Sequence, residues 1–151
     1  MRTGHILIVD DGQSMCEMLH DDLTQRGHCV KWQTSAENAF DIFMSESFDT
    51  VITDLKMPGL NGIDFCNRLS QNRPDVPVIV ITAFGSLDTA IEAIRAGAYD
   101  FVTKPVEIDM LAIVVERALK HRWLQEQVKF LKDRRRNLED FSEFVGQSAA
   151  M

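Results

Sequence analysis

Three carboxylates, a hydroxyl and an ammonium in this 151-residue sequence stand where they could act together. Asp10 and Asp11 follow an apolar run, residues 5–9, and Asp54 follows another, residues 50–53. Thr82 ends the run 78–82, while Lys104, followed by Pro105, comes directly after the run 99–103. Each run is short and rich in β-branched or aromatic residues, as buried strands are. If the runs are parallel strands of one sheet, their carboxyl ends border a single crevice, which is where open α/β sheets bind ligands. Any one aspartate taken alone has a plainer role as the N-cap of the helix after its strand. Convergence favours chemistry, because three carboxylates in one crevice raise one another's pKa and need a cation. A hard divalent ion with oxygen ligands fits. Mg²⁺ is favoured, since it keeps several waters and usually takes one or two carboxylates together with phosphate oxygens. Lys104 would then act as a point charge on a phosphoryl oxygen, and Thr82 would donate a hydrogen bond to another.

Positioning these groups requires strands that alternate with helices, and the sequence between the runs has helical period. Met15, Leu19 and Leu23 fall on one helical face; so do Ala36, Ala39, Phe40 and Phe43, then Ile63, Cys66 and Leu69, then Ala90, Ile91 and Ile94. Residues 29–33 supply the remaining strand. Gly27, Gly85 and Gly97, with Pro58, Pro74 and Pro77, punctuate the junctions, where such residues end helices or shape turns. The alternation predicts a parallel sheet covered by helices on both faces through right-handed crossovers. The fifth helix differs. Leu111, Val115 and Ala118 or Leu119 can pack on the sheet, but Leu124, Val128, Leu131 and Leu138 continue at spacings of four, three and seven. That is a heptad seam, interrupted by Arg135. Neither glycine nor proline occurs between Val106 and Phe144, so the helix is free to project beyond the sheet. A second copy of the chain is the simplest partner for its seam.

At 45% hydrophobic and 26% charged residues, the chain is neither disordered nor membrane-spanning, and apolar runs such as 76–84 are broken well before bilayer length. No secretion signal follows Met1. Cys16, Cys29 and Cys66 lack metal-ligand spacing and suit buried thiols in a reducing cytosol, so a soluble cytoplasmic protein is expected. The net charge of -7 is unevenly spread. Residues 1–115 hold 8 Lys+Arg against 17 Asp+Glu, residues 116–138 hold 8 against 3, and residues 139–151 hold 0 against 3. An acidic body carries a basic arm. The body argues against direct nucleic-acid binding. In the arm, Arg134, Arg135 and Arg136 could track phosphates, but no aromatic or groove-reading motif accompanies them, and cations near a helix end also suit its dipole.

The ordered set Asp10-Asp11, Asp54 with Met57-Pro58-Gly59 and Gly62, Thr82-Ala83, and Lys104-Pro105 resembles the receiver domain of two-component response regulators. The resemblance covers about residues 4–121 with all five sites filled in order. It implies a flavodoxin-like (βα)5 doubly wound parallel sheet with strand order 2-1-3-4-5. It also implies that Asp54 attacks the phosphorus of a phosphohistidine on a sensor histidine kinase. Mg²⁺ would be held by Asp10 or Asp11, by Asp54 and by the backbone carbonyl of Lys56. Ala83 leaves room beside the phosphoryl group, and Pro105 would form a cis peptide that aims Lys104 into the crevice. A proline that merely opens a helix is the alternative there. On phosphorylation Thr82 would move toward the new oxygens and Phe101 would turn inward, with Tyr99 on the same strand face, altering the surface of the fourth helix, fifth strand and fifth helix. Gly12 departs from the family, which often has an acidic or polar residue there; it removes no ligand but loosens the start of the first helix.

The last residues, 141–151, resemble the opening of the ATPase module in sigma-54-dependent transcriptional activators, where a short Val-Gly-Gln-Ser-like turn begins the domain. No G-x-x-x-x-G-K-[ST] phosphate loop is present, so ATP hydrolysis is not expected of this chain. The expected organisation is a receiver over 1–121, a coiled-coil linker helix over 122–140, and the start of an ATPase domain over 141–151. Downstream ATPase and DNA-binding domains would receive the signal. Two other readings compete. A phosphoaspartyl hydrolase would place its nucleophile in an Asp-x-Asp turn after the first strand, which Asp10-Asp11-Gly12 does not match. A single-domain receiver acting by direct protein binding would have no use for the long helix.

Overall fold

The computed structural model describes residues 3–57, 60–83 and 87–149; the side chains of residue 60 and of 139–149 lie outside that description. Pro58, Gly59 and Gly85 therefore fall outside it, as do the side chains of the tail. Five strands, β1 (His5–Val9), β2 (Cys29–Gln33), β3 (Thr50–Asp54), β4 (Val78–Thr82) and β5 (Asp100–Thr103), form one parallel sheet. Their order is 2-1-3-4-5, the flavodoxin-like arrangement expected from the sequence. Helices α1 (Gln13–Gln25), α2 (Ala36–Ser45), α3 (Gly62–Asn72), α4 (Leu87–Arg95) and α5 (Ile108–Ala149) connect and cover them. A short antiparallel ladder, Lys56–Met57 with Leu60–Asn61, sits between β3 and α3.

Period-two alternation sorts the strand residues into two cores. Leu7, Val9, Val51, Val78 and Val80 face α2, α3 and α4, where Ala39, Phe43, Phe65, Cys66 and Leu69 meet them. Ile6, Ile8, Ile52, Ile79 and Ile81 face α1 and α5, where Cys16, Leu19, Leu23, Leu111, Val115 and Ala118 meet them. The central strands β3 and β4 are buried at every position, so the sheet is a rigid platform. Asn61 caps α3 by accepting the N–H groups of Ile63 and Asp64, and Ser35 caps α2 through the N–H of Asn38. Gly27 and Gly97, at φ of 99° and 111°, close α1 and α4 in the left-handed region that favours glycine.

Three expectations change. The buried face of α4 is Ala90 and Ala93, while Ile91 and Ile94 are exposed. Small residues are needed there because α4 lies close to α3, the Cys66 thiol reaching the Ala93 carbonyl at 3.9 Å. Tyr99 and Phe101 do not share a face: Tyr99 packs on the α1/α5 side and Phe101 on the other, because β5 begins only at Asp100. Cys29 is exposed rather than buried.

Helix α5 has 42 residues, a length of about 63 Å at 1.5 Å per residue, and it projects far beyond the sheet as anticipated. Leu124, Val128, Leu131 and Leu138 lie 46–60% exposed along the projecting part. The backbone is helical through Ala149, so Val145-Gly146-Gln147-Ser148 does not form a turn. The segment contains no proline, and a single Gly146 costs a helix only about 1 kcal/mol. Among the described residues, no helix is long and apolar enough to cross a membrane.

Candidate phosphoryl-transfer site

Strand register brings the acidic groups together. Val9 pairs with Thr53, so the residues that follow, Asp10 and Asp54, leave adjacent strands at the same level. Asp54 pairs in turn with Ile81, and Thr82 pairs with Thr103, which precedes Lys104. The carboxylates of Asp10, Asp11 and Asp54 offer oxygens that all lie within 4.8 Å of one another. Asp10 and Asp54 are buried, whereas Asp11 is exposed at the mouth of the crevice. On the other side Lys104 Nζ donates to Asp54 Oδ2 at 2.8 Å. The Lys104-Pro105 peptide is cis, as the family resemblance implied.

Each carboxylate is held by a local donor. The Lys56 N–H donates to Asp54 Oδ1 at 3.0 Å, and the Gly12 N–H donates to Asp10 Oδ1 at 2.8 Å. Gly12 is the N-cap of α1 and has no side chain to cap with, so Asp10 fastens this junction instead. The Cys16 thiol donates to the Asp10 carbonyl at 3.3 Å. The supporting role of Cys16 escaped the sequence reading, which started the α1 face from Met15; a face drawn through Cys16, Leu19 and Leu23 would have found it.

Electrostatics follow from burial and crowding. Burial raises the Asp10 pKa above its usual range, the Gly12 N–H opposes that rise, and the charges of Asp54 and Asp11 add to it. The hydrogen bond to Asp54 holds Lys104 above the ordinary lysine range, so its ammonium is secure at neutral pH. Two buried atoms of this crevice have no partner among the described residues: Asp10 Oδ2 and Thr82 Oγ1. Buried polar atoms are rarely left so, and these two are complementary. A carboxylate oxygen accepts, so it suits a cation; a hydroxyl donates, so it suits an anionic oxygen. An all-oxygen donor set with a spare carboxylate oxygen fits Mg²⁺.

The remaining sequence candidates are placed as follows. Ala83 follows Thr82 and is half-buried, and Phe101 is half-buried against the core. Lys56 has its side chain in solvent while its backbone lies beside Asp54. At Gly62 an added Cβ would strike the Leu55 backbone, 2.5 Å from Cα and closer still to the carbonyl oxygen. Glycine is therefore required where α3 starts beneath the loop that follows Asp54.

A doubly wound parallel sheet with buried aspartates, a lysine before a cis peptide and a threonine at the carboxyl ends defines a class of signalling domain. Residues 6–116 match the family described as response regulator receiver domain, and the chain belongs to that family. Among curated relatives, the response regulator protein PilR of Pseudomonas aeruginosa is 40% identical over 116 residues, 77% of this chain and 26% of the relative. The DNA-binding transcriptional regulator NtrC of Escherichia coli is 34% identical, over 84% of this chain and 27% of the relative. The chain thus spans about a quarter of these relatives' length. Among solved structures, NtrX from Brucella abortus in complex with ADP superimposes with a TM-score of 0.81 at 32% identity, over 85% of this chain and 30% of that one. A response regulator receiver domain protein from Clostridium thermocellum gives 0.76 at 33%, over 80% and 98%.

Proposed function

We propose that Asp54 accepts a phosphoryl group from the phosphohistidine of a sensor histidine kinase, and that the resulting phosphoaspartate switches the domain. The observation that carries this reading is the gathering of Asp10, Asp11 and Asp54 within 4.8 Å, with Lys104 2.8 Å from the acceptor. A free carboxylate lone pair of Asp54 attacks phosphorus, a P–O bond forms, the P–N bond to the imidazole breaks, and its electron pair leaves with the imidazole. Lys104 neutralises charge on a transferring oxygen, Thr82 donates to a second, and Ala83 leaves space beside them. Asp10 or Asp11, Asp54 and the Lys56 carbonyl would hold Mg²⁺, which when bound offsets phosphoryl charge and keeps the groups in line.

The new charge, about -1.5 to -2 with three acceptor oxygens, draws Thr82 inward and Phe101 after it. The face of α4, β5 and α5 then repacks; it already exposes Leu87, Ile91, Ile94, Met110 and Ile113. Through a dimer seam of Leu124, Val128, Leu131 and Leu138, the change reaches downstream ATPase and DNA-binding domains of a sigma-54 activator. The likeness to NtrC and PilR supports this extension. Residues 1–121 act as the receiver, 122–140 as the linker, and 141–151 lead into the next domain. Direct DNA contact by the basic arm is not part of this function.

The test is incubation with acetyl phosphate and Mg²⁺, followed by intact mass and oligomer state, for wild type and Asp54→Asn. We expect one phosphoryl group on wild type, none on the variant, and a change in assembly only in the former. Equal labelling of both would move the acceptor elsewhere. Rapid multiple turnover of a small phosphoester would favour a hydrolase, and a monomer under both conditions would remove the dimer.

A further inference from the structure

We propose that Arg122 is the anchor that fixes the direction in which α5 leaves the receiver body, making the arm a rigid extension of it. The inference rests on this junction alone and does not depend on what Asp54 accepts. Leu119 is the last buried apolar residue of α5 among the described residues; from Trp123 through Leu138 every side chain is exposed. Between them the Arg122 side chain is only 12% exposed and meets three carboxylates. Its Nε donates to Asp49 at 3.1 Å, one terminal nitrogen donates to Asp75 at 3.0 Å, and the other forms an ion pair with Glu126 at 3.2 Å.

These partners come from three parts of the chain. Asp49 leads into β3 and also accepts the His5 N–H at the start of β1, at 2.8 Å. Asp75 lies just before β4, and Glu126 stands one turn farther along α5 itself. The neighbouring His121 ring lies 5.0 Å from that of Tyr99, the residue before β5. Two consecutive residues of α5 are therefore tied to the amino ends of four strands. This is the pole opposite Asp54, about 17 Å away along β3 at 3.3 Å per residue. Isolated surface ion pairs contribute little. This guanidinium differs in being mostly buried, in using its fork on several carboxylates at once, and in sitting where apolar packing ends.

Hydrogen exchange on the full chain tests the anchor, comparing wild type with Arg122→Gln, Arg122→Lys, Asp75→Asn and, as a control on the opposite side of α5, the exposed Lys120→Gln. We expect exchange of amides 119–126 to quicken roughly tenfold in Arg122→Gln and less in Asp75→Asn, with no change in Lys120→Gln. Lysine should rescue in part, because it lacks the planar fork. Labels on the exposed Cys29 and on Lys129→Cys, in samples diluted with unlabelled chain, should show a distance distribution that broadens in Arg122→Gln. Circular dichroism verifies that the body of each variant is folded, and acetyl phosphate labelling of Asp54 should stay as in wild type. Unchanged exchange and distances in Arg122→Gln, or an equal effect of Lys120→Gln, would overturn the proposal.

Discussion

Replacing Asp10 with asparagine should stabilise the protein in chelator and abolish most of its stabilisation by Mg²⁺. At the 4.8 Å outer limit of the cluster, two unit charges at an effective dielectric of about 20 repel by roughly 3.5 kcal/mol. Asp10 faces two such neighbours, Asp54 and Asp11, against one cation, Lys104, which is already bonded to Asp54. Asparagine keeps an oxygen for the Gly12 N–H and removes the charge. After allowance for the lysine and for the exposure of Asp11, a net relief of about 1–3 kcal/mol remains. For a chain of this size that is a rise in Tm of about 3–10 °C.

The sign of the pH dependence follows from the same cause. Burial raises the folded-state pKa of Asp10 above the unfolded value, so the native state holds more protons and wild-type stability from this group falls as pH rises through the folded pKa. Asp10→Asn lacks that term, so its advantage should be largest at neutral pH and shrink in acid. Thermal unfolding at pH 7 and pH 4.5, in EDTA and in Mg²⁺, reads all of this. Mg²⁺ at a hundred times its Kd would add about 2.7 kcal/mol to wild type. A variant less stable than wild type in EDTA would refute the argument, since Asp10 would then be a net stabiliser without a cation.

Three further outcomes are expected. His28 is buried and its Nδ1 accepts the Gly4 N–H at 3.2 Å; burial holds its pKa below the usual histidine value, so its contribution is intact above about pH 6.5 and fades as pH falls. Urea midpoints at pH 7.5 and 5.5 should therefore drop more for wild type than for His28→Asn, and parallel drops would count against the assignment. Gly62→Ala should destabilise by about 2–3 kcal/mol and slow phosphorylation, because the new Cβ strikes the Leu55 backbone beside the site; a neutral denaturation midpoint would contradict the close approach. A maleimide at pH 8 should label the native chain once, at exposed Cys29, since burial pushes the thiols of Cys16 and Cys66 up to about 11; three labels at similar rates would show these thiols to be accessible.

The strands and the acidic crevice were legible because both are written in local patterns. Ile6, Leu7, Ile8 and Val9, for example, leave little room for a structure other than a strand buried on both faces. What escaped depends on partners distant in sequence. On α4 the residues Leu87, Ile91 and Ile94 form as good an apolar stripe as Ala90 and Ala93, and hydropathy favours the wrong one. Only the nearness of α3 decides that the alanines go inside. Tyr99 was assigned by extending strand alternation one residue ahead of the start of β5. Arg122 reads as one more cation in a basic arm, because its partners Asp49 and Asp75 lie 73 and 47 residues away.

The geometry also restricts the route by which an event at Asp54 could reach the arm. Asp54 lies at the carboxyl ends of the strands and α5 departs from their amino ends, so a change must cross the length of the sheet. Strands β3 and β4 are buried at every residue, and moving them would disturb both cores at once. The edge strand β5 is different: Asp100 and Phe101 are half-buried and Thr103 is exposed. Its far end, Tyr99, touches His121, the residue beside Arg122. A displacement of Phe101 would therefore meet the least resistance along β5 and would arrive at the turn of α5 that His121 and Arg122 tie to the body.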